Sequence, residues 1–110
     1  MRYVYLINVS NTDLYKIGFT KQSPIKRVKD LQTGNPLELT LIDYYESDIA
    51  HNIESAMHNF LIHKKNDSQF GVKLIGEWFS LSKKDVGDFK KNCKTIEEGL
   101  NAIKKGTLFS

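Results

Sequence analysis

Five residue types at defined spacings between Tyr3 and His58 can handle a phosphate or the metal beside it. Strand periodicity places Tyr3 and Tyr5 on one face of a segment whose Val4 and Leu6 take the other, so one face presents phenols. Lys16 lies inside a second apolar segment, between Tyr15 and Ile17, where a charge is disfavoured unless it is solvated or meets an anion. Arg27 follows three residues after Pro24, beside a buried side defined by Ile25, Val28 and Leu31, so its guanidinium is expected to emerge at the edge and grip a phosphate bidentately in a way lysine cannot reproduce. Further on, Glu54 and His58 are spaced i, i+4 with His51 one turn before, a strip suited to a metal ion or an acid-base network.

A hard divalent ion such as Mg²⁺ prefers carboxylate oxygen and keeps several waters, so Glu54 together with a substrate phosphate is enough to hold it. Each of these residues also has a plainer role. Strand tyrosines pack in sheets, an arginine beside a helix core solvates, and a Glu/His pair stabilises its own helix. The single tryptophan, Trp78, reads as a core anchor rather than a stacking platform.

The elements that must position these groups follow from periodicity and punctuation. Tyr3 to Ile7 and Leu14 to Phe19 are rich in aromatic and β-branched residues and flank a polar Asn-Thr-Asp tract, which predicts a tight hairpin. Gly18 near its end marks a bulge or a place where another group approaches the backbone. Ser23-Pro24 predicts a helix start, with Ile25, Val28 and Leu31 as buried stripe and an end at about Gln32 before Thr-Gly-Asn-Pro. A third strand is expected over Leu37 to Tyr45. A second helix, capped by Asp48, carries Ile49, Ile53, Met57, Phe60 and Leu61 on its inner face and ends before Lys64.

Past that tract, Val72 to Ile75 and Trp78 to Leu81 read as a strand or an irregular edge hairpin. Ser82 to Asp85 resembles a capping sequence, and Thr95-Ile-Glu-Glu offers a second, which predicts helix, break, helix to the end. The fold class is therefore α/β (α+β): a small three-stranded, mainly antiparallel sheet flanked by helices. The chain reads as a single domain over 1–110, with a core at about 3–81 and a helical C-terminal extension at about 82–110.

Composition bounds the function classes. The chain has 110 residues, 40% hydrophobic and 26% charged, the profile of an ordinary globular domain of about the usual size. No apolar run is long enough to cross a bilayer, so no membrane partner is expected. Cys93 is the only cysteine, which leaves neither an internal disulfide nor an expected disulfide-linked partner and suits a reducing cytoplasmic compartment. The net charge of +3 favours a polyanion only weakly.

Taken in order, Tyr-Val-Tyr-Leu-Ile, Tyr-Lys-Ile-Gly-Phe-Thr, the helix arginine, Glu-x-x-x-His and Gly-Glu-Trp-Phe resemble the GIY-YIG nuclease superfamily over about Tyr3 to Leu81. The likeness is greatest to its phage-type branch with a Lys-Ile-Gly second motif. The resemblance implies a metal-dependent endonuclease that hydrolyses DNA phosphodiester bonds with Mg²⁺ (or Mn²⁺), placed in the host cytoplasm if phage-encoded. It implies catalytic roles for Tyr5, Lys16, Arg27 and Glu54, with Glu54 the metal ligand. Lys16 replaces the commoner tyrosine, and Tyr15 beside it supplies a phenol if a bulge turns it inward. His58 and Glu77, from the Gly-Glu-Trp-Phe segment, are supporting candidates. The competing functions are a nucleic-acid-binding module on the same scaffold without turnover, and a protein-interaction or inhibitory protein.

Overall fold

A computed structural model describes residues 1–66 and 78–104, with the side chains of 62–66 outside the description. The order of elements is β1 (Tyr3–Val9), β2 (Leu14–Thr20), α1 (Pro24–Gln32), β3 (Leu39–Glu46), α2 (Ala50–Asn66), β4 (Trp78–Ser80), α3 (Lys83–Gly87) and α4 (Phe89–Lys104). The expected Val72 to Ile75 strand, Glu77 and the side chain of His63 fall outside the described residues.

The strands form one antiparallel sheet in the order β3-β1-β2-β4, one strand more than expected because Trp78–Ser80 pairs onto Leu14 to Lys16. The hairpin turns at Asn11, whose φ of 66° is a conformation asparagine tolerates. The Asn8 side chain closes the turn by donating to the carbonyls of Thr12 and Leu14, each at 3.0 Å. The β1–β2 register runs without interruption from Tyr3↔Thr20 to Asn8↔Tyr15. The irregularity lies instead between β1 and β3, where Leu6 faces Asp43 and Ile7 faces Leu41.

Side-chain alternation gives the sheet two apolar faces. Val4, Leu6 and Ile17 meet Ile53, Met57 and Leu61 of α2, Phe79 and Leu81, and Phe89 and Cys93 of α4 in the larger cluster. Tyr5, Ile7, Val9 and Leu39 form a smaller one on the opposite face, covered by Val28 and Leu31 of α1. The expected inner stripes need two corrections. Ile25 is 62% exposed, because α1 turns Pro24, Arg27, Val28 and Leu31 inward, an i, i+3, i+4, i+7 set beginning one residue earlier. Phe60 is half exposed, lying beside the Ile53, Met57, Leu61 line rather than in it.

Caps and side-chain clamps set the ends of the elements. Ser23 Oγ accepts the Lys26 N–H at the start of α1, and Gln32 pins the other end to β3 by donating to Leu37 O and accepting from Leu39 N, both at 2.8 Å. Ser47, rather than Asp48, takes the N–H of Ile49 at the entry to α2. Ser82 and Asp85 form the expected capping box. The break between the last two helices falls at Asp88, not at Thr95. Phe89–Lys104 is continuous because Phe89, Cys93, Ile96 and Leu100 all face the larger cluster, and that burial overrides the local capping signal.

Glu97 of α4 reaches the sheet, accepting hydrogen bonds from Tyr45 Oη at 2.7 Å and from Ser47 Oγ. Burial, and then Glu97, push the Tyr45 phenol up to about 12. Its unfolded value is about 10. The neutral phenol is thus favoured by the fold, a stabilisation fully present below pH 10 and lost as pH rises through 12. An ultraviolet titration of the phenolate band should therefore show one tyrosine ionising near pH 12, and Glu97→Gln should shift that step downward. Burial, followed by Asp43 and Glu97, also pushes the Cys93 thiol up to about 12, which keeps it protonated and unreactive near neutrality. Among the described residues no helix is long and apolar enough to cross a membrane.

Candidate functional site

Gly18 is where the hairpin becomes more than two paired strands. Tyr5 is its cross-strand partner, and the Tyr5 ring lies so closely over the glycine that a Cβ built there would fall on the phenol. The residue two places after Lys16 is glycine because an aromatic ring occupies the place of its side chain. Of the two explanations the sequence offered for Gly18, close approach is the one observed, and no bulge is present in β2.

Lys16 shares this sheet face, opposite Ile7 on β1 and Trp78 on β4. Its Nζ lies 5.8 Å from the centre of the Trp78 ring, and the partly buried ring packs against the smaller cluster. Trp78 thus anchors the core and also flanks the lysine. Tyr15 points to the other face and packs against the larger cluster, as an unbulged strand requires. It therefore does not turn toward Lys16.

Arg27 sits on the inward stripe of α1, above the same sheet face as Tyr5 and Lys16. Its Nε is buried and has no hydrogen-bond partner among the described residues. Buried polar groups are normally satisfied, and a buried N–H left without an acceptor costs free energy. The expectation that Arg27 would emerge at the edge of the stripe changes accordingly, since it lies within the stripe.

Glu54 and His58 are on α2, which packs on the opposite face. His58 Nε2 stands 2.6 Å from the carbonyl oxygen of Ile17 and 3.4 Å from Glu54 Oε1. A carbonyl can only accept, so Nε2 carries the proton and donates, and its lone pair is not available to a metal at that nitrogen. The two side chains are 12% and 13% exposed, and Phe79 packs edge-on against the imidazole at 5.1 Å. His51 does not join this pair but meets Phe19, with ring centres 5.3 Å apart.

The candidates therefore form two groups. Tyr5, Lys16 and Arg27 lie on the α1 face of the sheet, and Glu54 with His58 lies on the α2 face. Between them runs β2, which β4 covers only from Leu14 to Lys16 among the described residues. Among the described residues no group of three or more His, Cys, Asp and Glu side chains gathers to cage a metal. What is present fits an ion held by one carboxylate, water and substrate oxygens, the habit of Mg²⁺.

The residues found only in the structure are Gly18's partner relation with Tyr5, the inward Arg27, and a cleft lined by Arg2, Phe19, Lys21 and the start of α2. A cross-strand Tyr/Gly pair could have been found by registering the two strands on their apolar alternation. The cleft joins residues distant in the chain and left no local signal.

Residues 2–94 match the family model of the T5orf172 domain. The chain belongs to the T5orf172 domain family. The T5orf172 domain is a phage-associated, nuclease-like domain. The match runs through β4 and α3 into α4, as far as the Cys93 that completes the larger cluster. No curated protein and no solved structure matches the chain.

Proposed function

We propose that this T5orf172 domain is a metal-dependent endonuclease of the GIY-YIG type, cutting a DNA strand laid across the edge of β2. The observation that carries the reading is Arg27, a guanidinium on the sheet-facing stripe whose buried Nε has no partner among the described residues, set above the face that holds Lys16 and the Tyr5 phenol. A phosphodiester oxygen is a chemically suited partner for such a fork.

In this reading Arg27 clamps the scissile phosphate and Lys16 adds positive charge on the same face. Glu54 would hold the Mg²⁺ (or Mn²⁺), which when bound polarises a phosphate oxygen and offsets charge on the leaving group. Tyr5, ionised to the phenolate beside Lys16, orients the attacking water and takes its proton as the new oxygen–phosphorus bond forms. The bond to the leaving oxygen breaks with its electron pair, and that oxygen takes a proton from solvent. His58, whose Nε2 proton goes to the Ile17 carbonyl, stands 3.4 Å from Glu54 Oε1 and flanks the carboxylate as a positioning residue. Tyr15 and Glu77 are given no step.

Arg27→Lys tests the clamp while keeping the charge. Loss of the bidentate fork should lower kcat/KM about 10²-fold on a plasmid substrate with Mg²⁺, measured against the unchanged denaturation midpoint of the variant. A variant as active as the parent would remove Arg27 from the mechanism.

One observation favours a second reading, a nucleic-acid-binding module without turnover: Tyr5 is 1% exposed, so its hydroxyl meets water only if substrate binding admits it. Binding of DNA with no cleavage under Mg²⁺ or Mn²⁺ would decide for that module.

A further inference from the structure

Beyond the candidate centre, the end of β2 opposite β4 opens into a cleft of about 350 Å³ lined by Arg2, Phe19, Lys21, Asp48, His51 and Asn52. Its volume falls in the ~300–1,000 Å³ range typical of sites for small ligands. Arg2 and Lys21 stand just outside β1 and β2, next to the Tyr3↔Thr20 pair that ends their ladder, so two cations mark one wall. Asp48 supplies the only carboxylate among the described lining residues, and Arg2 Nη1 donates to the Asp48 backbone carbonyl at 3.4 Å. Phe19 and His51 supply two rings tilted at 49° to each other, with Asn52 beside them.

This combination differs from the phosphate clamp on the α1 face. It pairs cations with aromatic faces and an amide that can both donate and accept, the elements of a platform for a nucleobase together with its phosphate. The position is consistent with the path of a strand. Phe19 is two residues along β2 from Ile17, about 7 Å at strand rise. His51 is two helical turns before His58, about 10 Å. A chain leaving the Glu54 edge would enter the cleft within one or two nucleotides.

We infer that this cleft binds a nucleotide of single-stranded DNA flanking the cut, with Arg2 and Lys21 on its phosphate and the Phe19–His51 pair against its base. The inference rests on the nuclease reading only for the direction of the strand. Binding itself is separable from cleavage.

The test is fluorescence anisotropy of a short fluorescein-labelled single-stranded oligodeoxynucleotide on the whole chain, with EDTA present so that nothing is cut. Arg2→Ala and Lys21→Ala should each flatten the slope of log affinity against log salt by about 0.7, the share of one phosphate on a single strand. His51→Ala should weaken binding roughly tenfold, and should make no difference on an abasic strand of the same length. All three residues are exposed, so circular dichroism should match the parent. Unchanged affinity and slope in the three variants, in a protein that binds and cleaves, would overturn the cleft and leave the nuclease reading standing. Weakened binding in the variants, with a parent that never cleaves, would support the cleft and remove the nuclease reading. A parent that does not bind the strand at all overturns the cleft.

Discussion

Replacing Glu54 with glutamine is expected to lower Mg²⁺-dependent DNA cleavage by roughly 10³-fold, about 4 kcal/mol of transition-state stabilisation, while leaving the fold in place. The effect is large because Glu54 is the one carboxylate at the β2 edge to which the reading gives the metal, and no cage of three or more ligating side chains stands by among the described residues. The fold should survive because glutamine keeps the volume and the His58 Nε2 proton is donated to Ile17 O, a bond the substitution leaves alone. The measurement is single-turnover cleavage of supercoiled plasmid across a Mg²⁺ series, beside a thermal melt of each protein. Parent-like cleavage by Glu54→Gln at every metal concentration would sink the metal assignment. Chelation of the parent should reproduce the loss, and added Mg²⁺ should restore it in the parent alone.

The largest expected effect on stability is at Gly18. Gly18→Ala places a methyl group on the Tyr5 phenol, which lies in the smaller core cluster and is 1% exposed, with little room to withdraw. Overpacking of this kind costs typically 1–3 kcal/mol, and about 3 kcal/mol is expected here because the neighbour is a rigid ring against backbone. That is a substantial part of the 5–15 kcal/mol that holds a domain of this size. The same substitution in a Tyr5→Ala background should cost little, since the obstacle is gone and alanine suits a strand at least as well as glycine. Denaturant midpoints of the four proteins give the coupling energy directly. Equal costs of Gly18→Ala in both backgrounds would show that the ring is not what the glycine accommodates.

Much of the architecture is legible in the sequence. The hairpin, the extent of α1 and the opposing faces of Tyr5 and Leu6 follow from alternation and from Ser-Pro punctuation, which are local signals. The misread stripe of α1 has a specific cause. Ile25, Val28, Leu31 and Pro24, Val28, Leu31 both satisfy helical spacing, and only docking on β1 and β3 chooses the second, bringing Arg27 inward with it. The break assigned to Thr95 failed for a related reason. Its capping signature is real, but four residues at helical spacing around it have a core to face. Of the candidate site, the Glu54–His58 pair was legible from i, i+4 spacing. The Ile17 carbonyl that orients it lies 41 residues away in the chain and was not. Glu97 was silent for the same reason, since its partners Tyr45, on β3, and Ser47, just past it, lie 52 and 50 residues earlier.

The unequal size of the two core clusters has a consequence for motion. Helix α1 has a single fully buried residue, Pro24, and covers the smaller cluster, whereas α2 and α4 share the larger one. In native-state hydrogen exchange the amides of α1 should open well before those of α2, as a separate unit of low local stability. Arg27 would then ride on the most easily detached piece of the scaffold. A bound phosphate that engages it should slow exchange along α1 specifically, so that ligand binding would be visible as protection at a helix rather than as a change in shape.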